Sequence, residues 1–197
     1  MNDPSLPQPE PQKSRLQPTR LLIESAAIFF SVLLAFFVEQ WREDINERRE
    51  AEAILNLVRT ELMQNLASLN AVASKREAML ADYQKAIMVL RDEGRFPAQM
   101  PNFQSPEITV LAYELATDVG AVTTVAPEEL LVVARAYEAL EEVRRNDTFL
   151  SERNAQVRFN DGEQYLSGFI YYINMAMGNE PAAIEYVRDA IEMLEAR

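Results

Sequence analysis

The sequence predicts an all-α chain: one N-terminal transmembrane helix continuing into a long helix, with a C-terminal helical bundle packed on its distal part. Three observations carry this. The run Leu21–Val38, LLIESAAIFFSVLLAFFV, is 18 residues with one charge, Glu24. No glycine or proline interrupts the 75 residues from Thr19 to Glu93. Beyond them each segment repeats its apolar residues at steps of three and four, and no alternating strand pattern of useful length occurs.

Composition narrows the chemistry first. The 197 residues include no cysteine and no histidine. Disulfide frameworks, thiolate nucleophiles, Ser-His-Asp triads and His-ligated zinc are therefore excluded. With 19 basic and 31 acidic residues the net charge is −12. That balance argues against nucleic acid, whose phosphates require clustered Lys and Arg.

Residues 1–20 hold five of the ten prolines and little apolar mass, which predicts a disordered tail. The tail carries net charge +1, leaving −13 on the remainder. The run 21–38 spans about 27 Å as a helix, close to the hydrocarbon thickness of a bilayer. Trp41 follows one turn later, at the interface position where aromatic anchors sit. A cleaved signal peptide fits poorly, because the run is long, carries a carboxylate and ends in AFFVEQW without a small-x-small site. An uncleaved signal anchor fits better. Lys13, Arg15 and Arg20 before the span balance Arg42, Arg48 and Arg49 after it. The basic tail and acidic remainder then favour a cytoplasmic N-terminus and a periplasmic C-terminal domain in a bacterial inner membrane.

Within the span Glu24, Ala27, Ser31 and Ala35 fall at steps of three, four and four, on one helix face. Small residues at that spacing let a second helix approach closely in lipid. Glu24 either faces that partner or a proton path, or snorkels to the headgroups beside Arg20.

Residues 39–93 are expected to extend the helix. The first part, EQWREDINERREAEA, is polar and solvated. A heptad seam then emerges, with Leu62, Leu69, Arg76, Tyr83 and Leu90 interleaving with Leu66, Ala73, Leu80 and Ile87. Arg76 is its one charged member. Ser74-Lys75-Arg76-Glu77 matches a capping box, yet the seam keeps phase across it and favours one continuous helix of about 110 Å from Thr19 to Glu93. The seam packs either on the chain's own later helices or on a second copy.

Gly94 is a helix stop, and residues 94–105, with Pro97 and Pro101, read as a loop. Residues 106–197 are the bundle. Ser105-Pro106 opens a helix whose inner face is Ile108, Leu111, Leu115 and Val119. Residues 121–126 connect it to a helix starting at Pro127, with Leu130, Val133, Tyr137 and Leu140 inside, reaching about Val157. Asp161 caps the next, lined by Tyr165, Phe169, Tyr172, Ile173 and Ala176. Gly178-Asn179 stops it, and a last helix from Pro181 buries Ile184, Val187, Ile191 and Leu194.

The segments RLLIESAAIFFSVLLAFFVEQWREDINERREAE, AYELATDV and GAVTTVAPEELL together resemble an uncharacterised family of bacterial single-span, signal-anchored helical membrane proteins of unknown function. The likeness includes Ala116-Thr117-Asp118-Val119-Gly120-Ala121, a helix beginning near Pro127 and an aromatic at Tyr137. It departs at Tyr113, where a bulkier aromatic is expected. It implies an anchor and a helical fold, and no chemistry.

Acidic clusters occur at Glu43, Asp44 and Glu47, at Glu128 and Glu129, and at Glu138, Glu141 and Glu142. None has calcium-loop spacing, and solvated helix surface is the simpler account. Phe169-Ile170-Tyr171-Tyr172 reads as core rather than as a ligand pocket. No cofactor, metal or nucleic acid is expected. The expected role is a non-catalytic scaffold or accessory subunit, meeting the lipid bilayer, copies of itself or a membrane protein complex through helix contacts. The alternative is an extracytoplasmic bundle that senses a ligand or assists transport.

Overall fold

The computed structural model describes residues 18–156 and 161–196. The tail expected to be disordered lies outside these as far as residue 17, as does the C-terminal limit expected at Val157. The described residues are helical without strands, in the order α1 (Pro18–Ala73), α2 (Arg76–Glu93), α3 (Leu111–Asp118), a 3₁₀ turn (Ala121–Thr124), α4 (Pro127–Gln156) and α5 (Gly162–Glu195). They form two units, divided between Glu47 and Arg48.

The first unit is the N-terminal part of α1. Every side chain from Leu22 to Asp44 is exposed, including Leu22 at 70 %, Phe29 at 62 % and Phe37 at 70 %. This is the one helix among the described residues that is long and apolar enough to cross a membrane.

The second unit is a helical bundle built on the rest of α1. Burial follows the heptad step along that helix: Ala51, Leu55, Val58, Leu62, Asn65, Leu69 and Val72 are all buried. The core has two clusters. One joins Val58, Leu62 and Leu69 to Val110, Ala116, Tyr137, Leu140, Val187 and Ile191. The other joins Val72, Met79, Tyr83 and Ile87 to Leu150, Leu166, Phe169, Tyr172 and Ile173. Helices α4 and α5 contribute to both, so they run the length of the bundle.

Several local signals act as expected. Gly94 ends α2 in the left-handed conformation (φ +68°), and its N–H donates to the Leu90 carbonyl. Asp161 caps α5 by accepting from the Gln164 N–H at 3.1 Å. Gly162 stands where a β-carbon would lie 2.6 Å from the Phe96 ring, so the loop after α2 can press on the first turn of α5.

Three expectations are corrected. The long helix is not continuous to Glu93. It breaks at Ser74-Lys75, where the Lys75 N–H turns to the Val72 carbonyl in a 3₁₀ step before α2 resumes. The buried stripe keeps phase across the break, because Arg76, Met79 and Tyr83 continue the three-four step. Arg76, the first residue after the break, is held by groups of α5 and of the loop.

Residues 106–110 are not helical, and α3 starts only at Leu111. Side chains of α1 capture this stretch by its backbone. Ser68 Oγ accepts from the Glu107 N–H at 2.7 Å. Asn65, 1 % exposed, accepts from the Thr109 N–H at 3.0 Å and donates to the Thr109 carbonyl at 2.7 Å. Glu61 accepts from the Ala112 N–H at 2.9 Å. These bonds take the Glu107 amide and both peptide groups of Thr109 in place of helical partners. The shifted start also rotates α3. It buries Ala116 and half-buries Ala112 and Tyr113, while Leu111, Leu115 and Val119, expected inside, are exposed.

Finally, α5 does not stop at Gly178-Asn179. It runs through Pro181, whose missing N–H leaves the Met177 carbonyl without its helical donor. Packing overrides that cost, since Ala176, Glu180, Ala183 and Val187 are buried in succession along one face.

Candidate functional site

Two sets of residues stand out in the sequence: the small-residue face of the apolar run and the heptad seam. The structure treats them oppositely. Glu24, Ala27, Ser31 and Ala35 all lie exposed on α1. Ser31 Oγ donates to the Ala27 carbonyl at 2.8 Å, so its hydroxyl is satisfied within the helix and the site presents small, nearly apolar contours. Trp41 is 62 % exposed. A face of this kind can pack a second helix in lipid.

The seam is spent inside the chain. Leu62 and Leu69 are buried in the first cluster with Leu66 half-buried beside them. Tyr83 and Ile87 are buried in the second, with Leu80 and Leu90 packed against them. Ala73 is half-buried at the break. Of the two packings open to the seam, the bundle takes the intramolecular one.

The charged member of the seam forms the most elaborate polar centre. Arg76 is 1 % exposed and Glu180 likewise. Arg76 Nε donates to both Glu180 oxygens, at 3.1 and 3.2 Å, and Nη2 donates to Oε1. Nη1 donates to the Gln104 carbonyl at 3.0 Å. The guanidinium carbon lies 5.8 Å from the Phe103 ring centre and 5.4 Å from that of Tyr172. Burial works to lower the Arg76 pKa, but the Glu180 hydrogen bonds and charge outweigh it, so the net direction is upward. Beside it the Tyr172 hydroxyl donates to Asp147, which also accepts from Ser105 Oγ at 2.7 Å. Burial first, and then that carboxylate, raise the Tyr172 pKa.

A second centre surrounds Glu61, 7 % exposed. Its Oε1 accepts from the Tyr137 hydroxyl at 2.8 Å, and its Oε2 from Thr109 Oγ1 at 3.1 Å and the Ala112 N–H. Tyr113 stacks on Tyr137 with ring centres 4.2 Å apart. Burial, followed by the Glu61 carboxylate, pushes the Tyr137 pKa up.

Both centres join elements rather than open to solvent. Among the described residues the one buried side-chain polar atom without a hydrogen-bond partner is Arg59 Nε, whose Nη2 pairs with Glu195 at 3.0 Å. No group of three or more metal-ligating side chains comes together among them. Of the acidic clusters, Glu141 pairs with Arg144 at 2.7 Å and Glu142 accepts from Asn179 at 3.2 Å. In the aromatic run Phe169 and Tyr172 are core, while Tyr171 is 57 % exposed.

Glu61, Asn65 and Glu180 do not emerge from motif spacing, although a signal for them exists. Each occupies the core-facing phase of an otherwise apolar stripe, where a polar residue requires a buried partner. The partners lie 44, 76 and 104 residues away in Thr109, Tyr137 and Arg76. No local pattern reveals them.

Replacing one member of the ion pair leaves the other charge buried. Arg76→Met is expected to cost about 3–5 kcal/mol in urea unfolding, and adding Glu180→Leu to restore most of the loss. A single variant as stable as the parent would show that the pair is not a closed buried unit. The tyrosines predict alkaline sensitivity. Tyr83, Tyr137 and Tyr172 are all raised above the ordinary value of 10.0, chiefly by burial. Their contribution is fully present below pH 10 and is lost as pH climbs toward the folded values. Tyrosinate absorbance from these three should therefore rise together with loss of helical circular dichroism, and Tyr137→Phe should soften the alkaline fall in stability.

Comparison with protein-family models, with curated proteins and with solved structures finds no match.

Proposed function

We propose that the chain is a single-pass, signal-anchored membrane protein that acts as a non-catalytic helical scaffold or accessory subunit, through helix contacts with itself or with a membrane protein complex. The observation that carries this is the exposure of the whole apolar run. From Leu22 to Val38 no side chain is buried. Such an apolar surface far exceeds what a protein in water exposes, and it matches the length of a bilayer core.

The contact surface in this proposal is the face of Glu24, Ala27, Ser31 and Ala35, since the seam is occupied within the bundle. A non-catalytic role is supported by the way Glu61, Asp147 and Glu180 are each taken up by donors of neighbouring elements. The resemblance to bacterial anchored helical proteins and the charge asymmetry support an inner-membrane location, with the N-terminus cytoplasmic and the bundle periplasmic.

The chain should remain with membranes through an alkaline carbonate wash and leave them only in detergent. Its detergent-solubilised mass should exceed the 22.5 kDa of one protomer. Ala27→Leu with Ala35→Leu should reduce that mass by blocking close helix approach. Recovery in the aqueous fraction would end the anchor proposal, and a lone protomer without a co-purifying protein would end the scaffold proposal. Orientation is testable because the chain has no cysteine. An impermeant maleimide applied to spheroplasts should label Gln84→Cys and spare Ser5→Cys. The opposite result reverses the topology.

A further inference from the structure

The rotation of α3 leaves an apolar face exposed among the described residues. Leu111 is 71 % exposed, Leu115 44 %, and Val119, just past the helix end, 55 %. Steps of four place them within one sector of the helix, with Glu114 and Asp118 exposed beside them. The charge along this part of the chain is of one sign. Residues 96–134 contain five acids, Glu107, Glu114, Asp118, Glu128 and Glu129, and no lysine or arginine.

From this we infer that the outer face of α3 docks a cationic amphipathic helix of a partner protein, one presenting apolar residues a turn apart with Lys or Arg beside them. The eight residues of α3 offer about 12 Å of length, enough for an anchor pair at i and i+4. A second copy is disfavoured, because a two-fold pairing of this face sets Glu114 and Asp118 against their own equivalents. An anionic lipid surface is repelled for the same reason. The inference uses residues of the bundle alone and stands or falls separately from the anchor.

The test uses the full chain in zwitterionic nanodiscs and a fluorescent two-heptad peptide of leucine and lysine in amphipathic helical order, with a leucine–glutamate peptide as its counterpart. The cationic peptide should bind and the acidic one should not. Leu111→Ser with Leu115→Ser should weaken binding about tenfold. Glu114→Lys with Asp118→Lys should weaken it at least as much and shift preference to the acidic peptide. The same reversal on α2, Glu77→Lys with Asp82→Lys, should leave affinity within about twofold. All these side chains are exposed, so the variants should keep the parental circular dichroism. Binding unmoved by the serine pair, or an equal loss from the α2 reversal, would overturn the inference as unspecific attraction. Conversion of an oligomer to a protomer by the serine pair, without peptide binding, would overturn it in favour of a face between copies.

Discussion

A guanidinium withdrawn from water must be met by a carboxylate and by acceptors for its remaining protons, and Arg76 imposes this on two other parts of the chain at once. It takes Glu180 from the middle of α5, the Gln104 carbonyl from the loop after α2, and the faces of Phe103 and Tyr172. Arg76 directly follows the break between α1 and α2, and Glu180 directly precedes Pro181 within the unbroken α5. The second core cluster closes around the same point, through stacking of Tyr83 on Phe169 and the edge contact of Phe103 with Tyr172.

The legible parts of the fold are those set by periodicity and by termini. The apolar run, the stripe along α1, the inner faces of α4 and α5, the stop at Gly94 and the cap at Asp161 all follow from neighbours a few residues away. The illegible parts depend on pairing across long sequence separations. Ser105-Pro106 has the chemistry of a helix start, yet Ser105 bonds Asp147 and the next backbone groups go to Ser68, Asn65 and Glu61. The helix therefore begins late, and a face of leucines that sequence assigns to the core turns outward. Of the two candidate contact sets, the residues of the small-residue face lie exposed on α1. The seam is buried within the bundle, which periodicity alone does not reveal, because it specifies a stripe but not the surface that covers it.

The two polar centres divide the work of fixing the bundle. Arg76 with Glu180 ties α2 to α5, and Glu61 with Tyr137 ties α1 to α4 while holding the Ala112 amide in the first turn of α3. Apolar packing alone leaves helices free to slide by a turn, at modest cost. A carboxylate that must meet one particular hydroxyl or guanidinium removes that freedom.

The strap between α2 and α3 is gripped in large part by its main chain, through the carbonyls of Pro101 and Gln104, the amide of Glu107 and both groups of Thr109, beside the inward side chains of Phe103, Ser105, Thr109 and Val110. Every residue type offers the same carbonyl, and every type but proline the same amide. Evolution is thus free to rewrite the outward side chains of this stretch while its path over the bundle is preserved, so divergent relatives should conserve the grip on α1 and α2 better than the segment it holds.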